Sequence, residues 1–315
     1  MTRWKRWSWL LRWGGTAAGI GYIAHVIDFH EARVAFARIS AGALLLAVGL
    51  VGLNVVAGAA RWRVLLAAYG AESRPSLGRA IQLYFISFFY NNYLPGAVAG
   101  DVVRGVVTRE VFGERGATAG LAVVLVERAL GLFGVFLLLA IGLGVASADL
   151  DTSRLWWWSA LGIAGSLALV LALPFSRRLA PMLPAPLRRI AARVPALSSA
   201  PAFAIAALYS VATQLFVALA GWVLLHAIDP AVGLGASLLI VPLASATTFL
   251  QITVGGAGAR EAVYVALGAS LFHMPRADAL AASLALWLAH LLNGAVGGLL
   301  QWTEKDRAMK APADP

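Results

Sequence analysis

Few charged residues interrupt the apolar stretches of this chain, and those that do come in acid–arginine sets. Asp101 and Arg104 follow Pro95 and Gly96, Glu127 and Arg128 sit side by side in an apolar 116–148 segment, and Arg260 and Glu261 follow Gly255, Gly256 and Gly258. A charge at the centre of a bilayer costs about 2.5–3.5 kcal/mol on insertion scales, so each of these needs a partner or a purpose. Two uses fit: structural ion pairs that tie neighbouring helices, or a polar cavity in which arginines meet an anionic head group. The second has a specific geometry. A helix restarting after a glycine turn presents unpaired N–H groups and a positive dipole end, which suit phosphate or carboxylate. Gly96, Gly100, Gly255, Gly256 and Gly258 allow close backbone approach. Arg104 and Arg260 lie within about one turn of the restarts and offer forked donors to phosphate oxygens. Asp101, Glu127, Arg128 and Glu261 would balance or gate them. Asn91 and Asn92, just before Pro95, either satisfy the broken backbone or bind the head group, and the backbone role fits their position better.

The remaining polar residues point less clearly to chemistry. Asn54, Gln214, Gln251, His290 and Asn293 are isolated on apolar segments and are expected to make interhelical hydrogen bonds rather than to act as ligands. Five scattered histidines, His25 and His30 among them, show no metal-binding spacing, and cysteine is absent, so neither a metal site nor any other cofactor is expected. Trp156, Trp157 and Trp158 suit an interfacial belt. The arginine- and proline-rich 177–193 stretch reads as a loop drawn to anionic lipid.

These residues sit in a chain of the membrane class. Of its 315 residues, 60% are hydrophobic and only 13% charged, more than a soluble core needs. Charge-free windows at 39–60, 80–100, 129–148, 155–176, 194–228, 230–259 and 279–303 are each long enough, at about 20 residues, to carry a helix across ~30 Å of hydrocarbon. The expected fold is all-α and polytopic, with helices near 9–27, 41–60, 117–147, 155–174, 202–227 and 279–301. The first of these resembles a secretory signal but reads as a retained helix anchored by Trp4, Trp7, Trp9 and Trp13. Two regions, 80–107 and 236–272, are broken by Pro95 and by clustered glycine. Broken backbone at membrane depth is tolerated where it is buried in protein or lines a polar cavity, so each reads as a helical hairpin, spanning or re-entrant. The order helix, helix, broken hairpin, helix occurs in 1–150 and again in 151–305, a hydropathy repeat within one transmembrane domain that ends in a cytoplasmic tail, 306–315.

The net charge of +10 is not a nucleic-acid footprint, because the basic residues lie in short segments between apolar windows. Placing the N- and C-termini in the cytoplasm of a bacterial inner-membrane protein puts most arginines and lysines inside, including Arg61, Arg63 and Arg104. It leaves Asp28, Glu31, Asp149, Asp151, Asp229 and Asp278 outside, as the positive-inside rule asks. The two halves then have opposite orientation, the inverted-repeat plan of many secondary transporters, whose sites lie where the repeats meet.

Three stretches together resemble the lysylphosphatidylglycerol synthase transmembrane-region family, the membrane half of the multiple-peptide-resistance factors. They are Asn91-Asn92-Tyr93-Leu94-Pro95-Gly96 with Gly100-Asp101-Val102-Val103-Arg104, then Val126-Glu127-Arg128 with Gly131, then Gly255-Gly256-Ala257-Gly258-Ala259-Arg260-Glu261. The resemblance runs from about 10 to 305. It implies a flippase module that moves a phospholipid or a polyprenyl-phosphate-linked lipid between leaflets and is not itself an enzyme. With Pro315 as its last residue, the chain is expected to lack the aminoacyl-transferase domain of the full-length factors. A glycosyltransferase or lipid-modifying enzyme is a candidate partner, beside anionic membrane lipids. Two other classes stay open. One is a transferase acting on a polyprenyl-linked sugar, with Asp28 and Glu31 as acid or base; the other is a scaffold subunit without transport.

Overall fold

The computed structural model describes residues 3–26, 28–71, 73–94, 99–107, 111–112, 116–145, 153–172, 180–182, 184, 188, 195–249, 253 and 256–310. Among these residues it is all-helical. The helices are α1 (Arg3–Val26), α2 (Phe29–Ala37), α3 (Ala41–Ala68), α4 (Leu77–Tyr93), α5 (Ala99–Val107), α6 (Gly116–Val145), α7 (Ser153–Ala172), α8 (Ala200–Ile228), α9 (Leu234–Phe249), α10 (Ala259–Phe272) and α11 (Arg276–Lys310). Each expected window is occupied by a helix, and both broken regions are helix pairs, α4–α5 and α9–α10. The short α2 was not anticipated. Four segments, Ala41–Ala68, Ala119–Val145, Ala200–Ile228 and Arg276–Glu304, are long and apolar enough to cross a bilayer. By contrast α5, with 9 residues, is only about 14 Å long and cannot cross alone.

Local chemistry sets several of the helix ends. Ser40, Ser76 and Ser199 stand at N-caps, and their hydroxyls accept from the N–H of Ala43, Arg79 and Ala202, satisfying donors that the first turn leaves unpaired. Asp28 does the same for α2, accepting from His30 N–H at 2.7 Å. At α10 the entry is different. Gly258 holds φ +81°, and its N–H donates to the Glu261 carboxylate at 2.7 Å.

Packing relies on small residues where backbones approach. A side chain at Gly258 would meet the backbone of Gly19 in α1 at 2.9 Å, and one at Gly294 would meet the Tyr93 ring at 2.9 Å. Gly297 leaves no room for a Cβ beside the Phe85 carbonyl, and Gly58 lies under Tyr84. The glycine faces of α1 and α11 are thus used within one chain. Large apolar side chains such as Leu45, Leu208, Trp157 and Leu299 point outward, as lipid as solvent allows.

The main packing pairs are α3 with α8, α4 with α11 and α6 with α9. If α3, α4, α5 and α6 are matched to α8, α9, α10 and α11, these contacts exchange into one another. So do α3–α4 with α8–α9, α4–α5 with α9–α10, and α5–α6 with α10–α11. The outer helices break the pattern: α7 packs on α6, whereas α1 packs on α10.

Candidate functional site: a charged cavity where the two hairpins meet

Both hairpins contribute to one partly open cavity of about 240 Å³. From the first hairpin and α6 come Asn91, Asn92, Asp101, Arg104, Glu127 and Arg128; from the second come Ser245, Thr248, Arg260 and Tyr264; α3, α8 and α11 close it with Asn54, Arg61, Thr213, Gln214 and His290. Residues some 150 positions apart in the chain, Arg104 and Arg260, therefore face the same space. Its size falls near the lower end of small-molecule sites, about 300 Å³, enough for a head group but not for acyl chains.

Glu127 is the hub of the charged wall. It is 2% exposed; Oε1 accepts from Arg61 Nη2 at 2.9 Å and from Tyr84 Oη at 2.9 Å, while Oε2 accepts from Arg104 Nη1 at 2.9 Å. Arg104 also donates to Asp101 Oδ1 at 2.8 Å, and Arg128 Nε donates to Asp101 Oδ2 at 2.7 Å. The Arg104 guanidinium lies 4.3 Å from the Tyr84 ring centroid and 5.3 Å from that of Trp62, so its faces as well as its edges are engaged. Arg61 completes its fork with Ser210 and Thr213 of α8. These bonds satisfy charges that burial would otherwise penalise by several kcal/mol each.

The second hairpin is simpler. Arg260 donates to Glu261 from Nε at 2.9 Å and from Nη2, and lies 5.8 Å from the Trp287 ring centroid. Its Nη1 makes no hydrogen bond among the described residues. Among the described residues, the lining arginines Arg61, Arg104, Arg128 and Arg260 set against the lining acids Asp101 and Glu127 and against Glu261, which pairs with Arg260, leave one net positive charge.

Several expectations from the sequence change here. Arg61 is not a loop residue: it is 7% exposed and buried within α3, seven residues before the helix ends. The window reading ended at it, although the apolar run resumes as Trp62, Val64, Leu65 and Leu66, and that resumption was the available signal. Arg104 likewise is an interior residue, 4% exposed, rather than part of a cytoplasmic loop. At each restarting helix one amide is already taken. Asn91 Oδ1 accepts from Gly100 N–H at 2.9 Å, and Glu261 takes the N–H of Gly258. Asn92 Nδ2 donates to the Phe88 carbonyl at 2.8 Å. Both asparagines therefore serve the backbone, and both still line the cavity. Gly100 is required because a Cβ there would overlap the Ser87 carbonyl, while Gly256 adopts φ +79°. Gly96 and Gly255 lie outside the described residues, as does Gln251.

Of the isolated polar residues, Asn293 behaves as expected, donating across to the Val48 carbonyl of α3 at 3.0 Å. Asn54, Gln214 and His290 do not bridge helices in that way: they line the cavity. His290 bonds its own helix at Leu286 and stacks on Phe88. Asp28 and Glu31 are exposed near α2 and take no part in the cavity.

Several long apolar helices around a charged cavity between broken helices, with no strand among the described residues, define a multi-pass membrane protein. Its sequence matches the family described as the lysylphosphatidylglycerol synthase TM region over residues 9–297, and the chain belongs to that family, whose role concerns membrane lipids. Among curated proteins no sequence matches it significantly.

Proposed function

We propose that the protein is a flippase-like transporter that carries the head group of a phospholipid or polyprenyl-phosphate-linked lipid through this cavity while the acyl chains stay in the bilayer. The observation that carries the reading is the meeting of the two hairpins on one cavity with a net positive wall. A set of ion pairs needed only to tie helices together would have no reason to line an open space of head-group size. The exchange of packing contacts between α3–α6 and α8–α11 supports two inverted repeats, 1–150 and 151–305, with re-entrant hairpins entering from opposite faces of the bacterial inner membrane and both termini cytoplasmic. In this reading Arg260, whose Nη1 makes no hydrogen bond among the described residues, contacts phosphate. Arg104 supplies positive field and holds Glu127 and Asp101, and Gly96, Gly100, Gly255, Gly256 and Gly258 keep the hairpin tips thin. Energy comes from an ion or lipid gradient. Of the two carboxylates named for the transferase reading, Asp28 caps α2, and neither it nor Glu31 lines the cavity.

Leaflet exchange of fluorescent anionic lipid in proteoliposomes, followed by dithionite quenching, tests the proposal. Arg104→Ala and Arg260→Ala should each slow exchange at equal protein level. Wild-type rates in both would overturn it.

A further inference from the structure

His290 of α11 lines the cavity with one ring nitrogen committed and the other not. Nδ1 lies 2.8 Å from the Leu286 carbonyl. A carbonyl oxygen only accepts, so Nδ1 carries the ring proton, and in the neutral imidazole Nε2 is then a bare acceptor. Nε2 makes no hydrogen bond among the described residues. The ring is held by the Leu286 bond and by stacking on Phe88 of α4, with centroids 5.7 Å apart, and an aromatic face also suits a cation.

The acids around it are already taken. Asp101 of α5 is held by Arg104 and by Arg128 of α6. Glu127 of α6 is held by Arg61 of α3, by Arg104 and by Tyr84 of α4. On α10, Arg260 binds Glu261, and Tyr264 brings a phenol, which is no base near neutral pH. No titratable side chain of α8 lines the cavity. The acids of α11 itself lie elsewhere: Asp278 pairs with Arg38 after α2, and Glu304 with Arg79 of α4. Of the five histidines, only His290 lines the cavity. It is the one base there with an uncommitted lone pair among the described residues.

Charge balance gives that lone pair a use. With His290 neutral the site carries one net positive charge. A phosphodiester entering alone changes that sum and takes a negative charge across the membrane potential, work that grows with the potential. A phosphodiester entering with a proton on Nε2 leaves the charge of the site the same loaded as empty. Arg260 and His290 stand on packed neighbours, α10 and α11, and the charge of one is felt at the other. An anion at Arg260 therefore offsets the repulsion that a protonated ring would meet.

On the reading that this cavity receives an anionic head group, we infer that His290 Nε2 is a proton-binding site filled together with the phosphate, so that lipid and proton cross as an electroneutral pair. The proton comes from water on the loading side and leaves to water on the other, while Nδ1–H stays on Leu286. Coupling of this kind is reciprocal: the anion draws in a proton, and low pH tightens the anion.

The test counts protons. Glycerophosphoglycerol, a phosphodiester with no group that titrates near neutral pH, is bound to the purified, detergent-solubilised protein, and calorimetry in buffers of different ionisation enthalpy gives the protons taken up per ligand. Uptake should rise toward one in a window around neutral pH, with affinity falling as pH rises by up to about tenfold per pH unit. In proteoliposomes, net movement of fluorescent phosphatidylglycerol, read by dithionite, should run toward the alkaline side of an imposed pH gradient and ignore a potassium-diffusion potential. His290→Gln and, separately, His290→Asn should reduce proton uptake to near zero and remove the response to the pH gradient. Wild-type uptake near zero, uptake unchanged in a folded variant, or lipid movement driven by the potential overturns the inference. The wild-type count needs no variant, so a variant that fails to fold does not shield the inference. Exchange of lipid without proton uptake removes the proton site and keeps the transport reading, whereas binding with proton uptake but no exchange does the reverse. Absence of both binding and exchange removes both.

Discussion

The two hairpins deliver an arginine to the same cavity under different constraints. In the first, Arg104 is 4% exposed, held by carboxylates on two helices and sandwiched near two aromatic rings. In the second, Arg260 leans on the carboxylate of its chain neighbour Glu261, and one guanidinium nitrogen stays without a partner among the described residues. One arginine is part of a lattice spanning α3, α4, α5, α6 and α8. The other keeps Glu261 on Nε and Nη2 while its Nη1 has no hydrogen bond among the described residues. Correspondence in packing therefore does not carry over to equal surroundings; in the proposed reading the first hairpin fixes the field and the second offers the contact.

The sharpest break between them should come from the acids. Glu127→Ala strands Arg61 and Arg104 in the interior, and loss of one partner of a buried pair costs about 3–5 kcal/mol. Glu261→Ala, which leaves only Arg260 and the Gly258 amide, should cost about 1–3 kcal/mol. Thermal unfolding in detergent, read by size-exclusion of heated samples, checks the order; equal melting points would erase the distinction. Next in size is the arginine exchange. Arg104→Lys cannot bridge Glu127 and Asp101 with a fork and should lower both stability and leaflet exchange. Arg260→Lys keeps a point charge and should lower exchange while shifting melting less than Arg104→Lys does. A smaller effect is expected at the hairpin tips. Gly258→Ala forces a non-glycine residue to a positive φ and against Gly19, at about 1–3 kcal/mol, so α1 should become more accessible to protease. Least of all, Arg38→Ala removes a partner of Asp278 that is itself half exposed, worth up to about 1 kcal/mol, and should leave exchange at the wild-type rate.

Much of this arrangement was legible before the structure. The apolar windows became helices, and the proline and glycine breaks became helix pairs. The three acid–arginine sets converged because a charge at depth has few places to go. What stayed hidden was which side of each helix faces inward. In α3 and α8 nearly every residue is apolar, so no polar stripe marks a face, and helices of that kind give no periodic signal. Arg61, Asn54 and Gln214 all lie on those two helices, and their convergence depends on the α3–α8 contact, which joins distant parts of the chain. Arg61 was further disguised by standing beside Arg63, which does reach a loop and donates to the Pro75 carbonyl. The short α2 escaped because its nine residues mix charge and apolar groups below the length that a membrane window detects.

Because the chain contains no cysteine, a single thiol can be placed in the cavity and addressed alone. Ser245→Cys in proteoliposomes, with leaflet exchange of an anionic lipid recorded before and after complete reaction with a bulky maleimide, tests whether the head group passes through this space. The account predicts that modification abolishes exchange relative to the same sample before labelling. Exchange that continues at its earlier rate after full modification would mean that the lipid takes another path, and that the cavity serves the fold alone.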